Sequence, residues 1–184
     1  MADIEPVADL LVDCFETELK WFEFPEREAR RKKYRDMLQS SLLRRIQKAS
    51  SSEDETTQSL SFMLLVESAK EPGNKMLGFV QVGMLPPPPG FQPTNDDSDQ
   101  AITKDVPYIA NLCVLPSNRK HGIGKKMVDI CTRWLAKKEQ QNVFIAVESD
   151  NLVAKRFYQG INFAWIEPPG VSSQRDYYYR PISS

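Results

Sequence analysis

The run Tyr108 to Gly124, YIANLCVLPSNRKHGIG, constrains the fold of this chain more than any other stretch. Val106 to Leu115 is apolar and reads as a strand that breaks at Leu115-Pro116. A short turn ends in Arg119-x-x-Gly122-x-Gly124. A helix then runs from Gly122 to about Lys138, with Ile123, Met127, Ile130, Cys131, Trp134 and Leu135 on one face. The two glycines let backbone amides approach a ligand, and the helix N-terminus favours an anion there. Arg119, Lys120, Lys125 and Lys126 add counter-charge. A strand feeding such a turn is a physical means of holding a pyrophosphate. The spacing is neither the dinucleotide GxGxxG nor the phosphate loop GxxxxGK[ST]. Alone, the turn reads equally well as an ordinary helix start.

Other elements follow from periodicity and punctuation. Val7, Leu10, Leu11, Cys14, Phe15 and Leu19 recur at helical spacing and predict a helix over 5–20. Pro25 suits the first turn of a second helix reaching about Lys48. Its early half is crowded with Arg27, Arg30, Arg31, Lys32, Lys33 and Arg35, which read as a solvated face rather than a lure for an acidic substrate. Residues 49–59 are polar and of low complexity, and are expected to be a mobile loop. Strands are expected at 59–68 and 76–85, joined by Pro72-Gly73-Asn74 into a hairpin. The excursion from Pro86, PPPPGFQPTNDDSDQ, rules out helix or strand interior and is expected to be mobile over about 86–104. Asn142 to Val147 is a buried strand, Asp150 or Asn151 caps a helix through Tyr158, and Gly160 ends it. INFAWIE and DYYYRPI close the chain as two strands; Tyr177, Tyr178 and Tyr179 either line a groove or, the favoured reading, simply alternate along the second. The order indicates a mixed α/β sheet in a single domain spanning 1–184.

Bulk properties exclude some functions. With 24 basic and 25 acidic residues the net charge of −1 gives no reason to expect nucleic acid as a partner. No apolar run approaches the length of a membrane span, and the start lacks a signal-peptide core. Cys14, Cys113 and Cys131 form no CxxC pair, so buried thiols in a reducing compartment are expected, with no metal site.

Three ordered segments then resemble the GNAT superfamily of acyl-CoA N-acyltransferases. They are the strand ending LCV, the turn RKHGIG, and DNLVAKRFYQGINF, in which Asn151, Ala154, Tyr158 and Phe163 match the family pattern. The resemblance covers roughly Leu77 to Phe163. It implies an α/β fold with a mixed, mostly antiparallel twisted sheet, helices on both faces and splayed central strands. It implies acetyl-CoA as co-substrate. Leu112, Cys113 and Val114 would then pair with the pantetheine arm as if it were an added strand, with the Val114 amide as oxyanion donor. Arg119, Lys120, His121, Gly122, Ile123, Gly124 and Lys125 would wrap the pyrophosphate. Asn151 would touch the pantetheine, with a helix cap as its plainer role. Tyr158 would protonate the leaving thiolate, with core packing as its plainer role. His121, the only histidine, is read as part of the turn and not as a catalyst.

The resemblance leaves the general base open. Relatives place a carboxylate or histidine where this chain has Ala146. Glu148, of the same parity, and Tyr108, acting through water, are the two candidates. The reaction implied is acetyl transfer to a primary amine by direct attack, with no covalent intermediate on Cys113. The acceptor is a protein N-terminus, a lysine or a small amine, with a protein mildly preferred. Competing readings are a non-catalytic acyl-CoA-binding sensor and an interaction protein using the basic second helix. Relatives usually open on a strand, whereas MADIEPVADLL runs almost straight into a helix. A missing first strand and a removed targeting segment both fit that start. The excursion at Pro86 and the wording YIANLCV also resemble plastid-type plant and algal members, so cytoplasm and plastid stroma are both consistent locations, and the chain is expected as a monomer or homodimer.

Overall fold

A computed structural model describes residues 5–15, 29, 32, 33, 35–37, 39, 40, 43, 44, 60–68, 75–91, 105–167 and 174–182. Six strands form one sheet in the order β1-β2-β3-β4-β6-β5. These are β1 (Phe62–Glu67), β2 (Met76–Leu85), β3 (Val106–Val114), β4 (Asn142–Glu148), β5 (Ala164–Ile166) and β6 (Arg175–Pro181). The labelled helices are α1 (Glu5–Phe15), α2 (Ile123–Ala136) and α3 (Leu152–Gln159). The chain divides into two compact units that interleave along it, 1–81 with 111–127 and 82–110 with 128–184. No described helix is long and apolar enough to cross a membrane.

The first unit is organised by α1. Val7, Leu10, Leu11 and Cys14 fall on one helical stripe and bury against Phe79 of β2 and Cys113 of β3. Successive strand residues face opposite sides, so Gly78 points away from α1. There a Cβ would meet Met127 Sδ of α2 at 3.0 Å and the Cys113 carbonyl oxygen at 3.1 Å. Helices α1 and α2 therefore flank opposite faces of β2, and Gly78 is small because α2 and β3 come so close. The predicted extension of α1 over 16–20, the loop 49–59 and the turn 72–74 lie outside the described residues. The described residues between 29 and 44 are helical, as the sequence predicts. One of the basic residues there, Arg35, pairs its Nε with Asp9 Oδ1 of α1 at 2.6 Å, while Lys32 and Lys33 are exposed. Strand β1 starts at Phe62 and not at Ser59, because Leu60 is helical and buried.

The second unit is centred on β4. It pairs in parallel with β3 at Tyr108↔Phe144 and antiparallel with β6 from Asn142↔Pro181 to Glu148↔Arg175. The three consecutive tyrosines alternate: Tyr178 is buried opposite Ile145, while Tyr177 and Tyr179 join Tyr108 and Phe144 on the other face. Residues 86–91, in the stretch expected to be a mobile loop, include a turn. Phe91 N donates to Pro88 O at 3.2 Å with Gly90 at φ 82°. The Phe91 ring meets Phe144 edge-on at 4.7 Å and Tyr179 at 5.4 Å. The ring is half-buried there; residues 92–104 lie outside the described set. In α2 the buried stripe is Met127, Val128, Cys131, Thr132 and Leu135, while Ile130, predicted inside, is 41% exposed. Gly160 ends α3 with a right-handed φ of −66°, and the left-handed residue is Asn162 at φ 68°.

Candidate functional site

In the first unit the candidate residues follow from what happens to β3 after Asn111. Asn111 has φ 53°, a left-handed value that asparagine tolerates better than most residues. Its Nδ2 donates to Oε1 of the buried Gln81 at 3.2 Å. Beyond it, Leu115 N donates to Leu77 O at 2.8 Å, so that amide faces β2. Amides alternate edges along a strand, so those of Val114 and Leu112 face the opposite edge. Leu112 and Val114 are half-buried. Cys113 is buried, and its thiol shares a hydrogen bond with the thiol of Cys14. That bond and burial raise the Cys113 pKa, while the same bond and the Arg119 guanidinium lower that of Cys14.

The turn is a single 3-10 segment, Pro116–Asn118, closed by Asn118 N to Leu115 O at 2.8 Å. Left-handed backbone follows at Lys120 (φ 64°) and Gly122 (φ 77°). Lys126 N donates to Gly122 O at 3.0 Å and begins the ladder of α2. The amides of Gly122, Ile123 and Gly124 precede the first intrahelical donor and point out of the helix end, where the dipole attracts an anion. A Cβ on Gly122 would meet nothing within 4 Å, so glycine is required there by backbone conformation and not by crowding. Lys120, His121, Gly122 and Lys125 are exposed, and Ile123 and Gly124 are half-buried.

Arg119, read as counter-charge for a phosphate, is exposed, and its guanidinium also bonds backbone within the unit. Its Nε donates to Val114 O at 3.1 Å and its Nη2 to Cys14 O at 3.0 Å. Cys14 lies in the last turn of α1, where carbonyls lack intrahelical donors, so a guanidinium fork is well matched to them.

In the second unit Asn151 caps α3, its Oδ1 accepting from Ala154 N at 2.9 Å. Tyr158 is buried in α3, with its ring 5.0 Å from Phe157 and 5.4 Å from Phe163. Burial, with Cys131 nearby, raises its pKa, so the phenol stays protonated. Tyr108 is also buried, and burial together with Tyr177 raises its pKa too. It is therefore a neutral hydroxyl at neutral pH and accepts a proton only as part of a hydrogen-bonded chain. Glu148 is exposed and its Oε1 accepts from Arg175 Nε at 2.8 Å. Ala146 is exposed between Phe144 and Glu148.

The two faces of β4 separate these groups. Phe144, Ala146 and Glu148 share a face with Tyr108, Tyr177 and Tyr179. Lys155 of α3 pairs with Asp176, which stands opposite Val147 on the other face, and donates to Ser149 O at 2.6 Å. The structure thus brings Tyr108 and the Glu148 strand position to one face and puts α3, with Tyr158, on the other.

A model of the Acetyltransferase (GNAT) family matches residues 8–163. The chain belongs to the GNAT acetyltransferase family. The match runs through both units and contains every candidate residue. Three solved structures agree in fold over nearly the whole chain. The PaiA N-acetyltransferase from Thermoplasma acidophilum, in complex with coenzyme A, superposes with a TM-score of 0.62 at 14% identity, covering 97% of this chain and 92% of that one. PH1933 from Pyrococcus horikoshii OT3 gives 0.60 at 18% identity, covering 100% and 95%. A GNAT-family acetyltransferase from Staphylococcus aureus Mu50 gives 0.57 at 13% identity, covering 97% and 92%. No curated protein matches the sequence. For this GNAT protein, sequence reasoning missed Asn111, although an asparagine inside an apolar strand was a visible signal. It also missed Arg175, whose pairing with Glu148 spans 27 residues and left no local signal.

Proposed function

We propose that this GNAT protein transfers an acetyl group from acetyl-CoA to a primary amine by direct attack. The observation that carries the reading is the corner between β3 and α2, where left-handed backbone at Lys120 and Gly122 turns helix-start amides outward. Those amides, with Lys120, His121 and Lys125 around them, hold the pyrophosphate. Leu112, Cys113 and Val114 carry the arm, and the Val114 amide polarises the thioester carbonyl. The Asn151 side-chain amide contacts the pantetheine while its Oδ1 keeps the cap. Tyr158, buried and protonated, donates its proton to the departing thiolate. The amine loses its proton on the opposite face of β4, through water toward Glu148 or the Tyr108 hydroxyl. Cys113 takes no covalent part, because burial and its hydrogen bond to Cys14 hold it as a neutral thiol.

A second reading is a sensor that binds acyl-CoA without turnover. It is favoured by Ala146 at the family's base position and by the Arg175 partner on Glu148. Calorimetric titration with acetyl-CoA, followed by thiol release over panels of peptides and small amines, separates the two. Turnover that drops about 100-fold in Tyr158→Phe, with acetyl-CoA affinity kept, supports the enzyme and the acid role. Binding without thiol release for any amine supports the sensor, and no binding removes both.

A further inference from the structure

The Arg119 guanidinium holds two carbonyls that belong to different elements. One is Cys14 O at the end of α1, 105 residues away in sequence, and the other is Val114 O at the end of β3. The Val114–Leu115 peptide is therefore gripped at both ends. Its carbonyl accepts from Arg119 at 3.1 Å, and its N–H donates to Leu77 O at 2.8 Å. Fixing that peptide plane fixes ψ of Val114 and limits how its own amide can swing. Beside these contacts the Cys14 and Cys113 thiols share a hydrogen bond within the buried cluster, and the Arg119 guanidinium also reaches the Cys14 thiol. The strand end is thus tied to α1 twice and to β2 once. The two carbonyl contacts use two of the five guanidinium N–H groups and set the direction of the fork toward the backbone.

We propose that Arg119 is a positioning residue: it braces the end of β3 against α1 and so aims the Val114 amide at the thioester, and it is not a phosphate ligand. The proposal rests on the donor reading given above. It predicts that the loss on removing Arg119 follows the acyl end of the donor and not its phosphates.

The test uses wild-type protein, Arg119→Gln and Arg119→Lys, with acetyl-CoA and S-acetylpantetheine as probes. The second probe keeps the thioester and arm but has no pyrophosphate. Arg119→Gln is expected to weaken both probes by the same factor, about tenfold. It is also expected to speed amide hydrogen exchange at 112–115 and at the end of α1 while leaving β4 unchanged. Arg119→Lys keeps the charge but lacks the fork, so it should fall between, and it serves as the test if Arg119→Gln does not fold. Weakening of acetyl-CoA alone, with exchange unchanged, would make Arg119 a phosphate ligand and overturn the proposal. Faster exchange in β4 to the same extent would reduce the role to general stability and overturn it as well. If the wild type binds neither probe the donor reading fails, and the exchange pattern still decides whether the brace exists.

Discussion

The protein turns from strand to helix at two corners that are built alike and finished differently. At the end of β3, Arg119 donates to Val114 O; at the end of β4, Lys155 donates to Ser149 O. Each corner thus has a cation from just downstream holding the backbone where the strand stops. The helix starts then diverge. Helix α3 is plugged by its own Asn151, whose Oδ1 takes the Ala154 amide. Helix α2 starts from exposed Gly122 at φ 77°, with open space where a Cβ would stand. A plugged start spends its dipole on the fold, whereas a glycine start keeps backbone amides for something else. In the proposed function that difference gives the ligand's anionic end to the first corner.

The largest effect that would sharpen this contrast is expected from Gly122→Ala. A side chain at a left-handed position costs about 1–2 kcal/mol. If the amides relax to relieve it, acetyl-CoA affinity falls about tenfold in a titration. An affinity that stays at the wild-type value breaks the contrast. Next in size is the cap. Asn151→Ala should lower unfolding free energy by about 1 kcal/mol in denaturant melts, while Asn151→Asp, also a good cap, should keep it. If Asn151→Ala instead left stability intact, α3 would not be a plugged start at all.

The smallest effect concerns Cys131 of α2, which lies near Tyr158 of α3. Burial pushes its pKa up to about 12 from 9.0. As pH rises through 9 the unfolded thiol loses its proton and the folded one keeps it. The unfolded state then binds fewer protons, so stability present below pH 9 is lost progressively toward 12. By pH 9 the loss is about 0.4 kcal/mol. Thermal melts at pH 7.5 and 9 should show a smaller drop for Cys131→Ala than for the wild type. An equal drop would mean that this thiol does not report on the packing of the α2 body.

Local grammar made much of this legible from sequence. The strand, turn and helix around Arg119–Gly124, the Asn151 cap and the alternation of Tyr177–Tyr179 each depend on neighbours a few residues apart. What stayed hidden depends on distant partners. Nothing near Arg119 announces that its guanidinium will find Cys14, and nothing near Glu148 announces Arg175. Ile130 looked buried because helical periodicity locates a stripe only to within one position, and here Val128 took the inner place. Phe91 was overlooked because the prolines before it suggest an unstructured stretch, whereas the ring it packs on, Phe144, lies in another strand. The base could not be settled by pattern at all, since Ala146 stands where a proton acceptor would be sought.

Asn111 narrows what this strand can become by mutation. Its neighbours Ile109, Ala110, Leu112 and Cys113 are apolar, and another aliphatic residue at 111 would look harmless in a sequence. A β-branched side chain, however, resists the backbone angle this position adopts, and it cannot bond to Gln81. Viable descendants of this chain are therefore expected to drift at 111 toward aspartate or glycine and not toward valine. A hydrophobic replacement would have to straighten β3 just before Leu112, Cys113 and Val114.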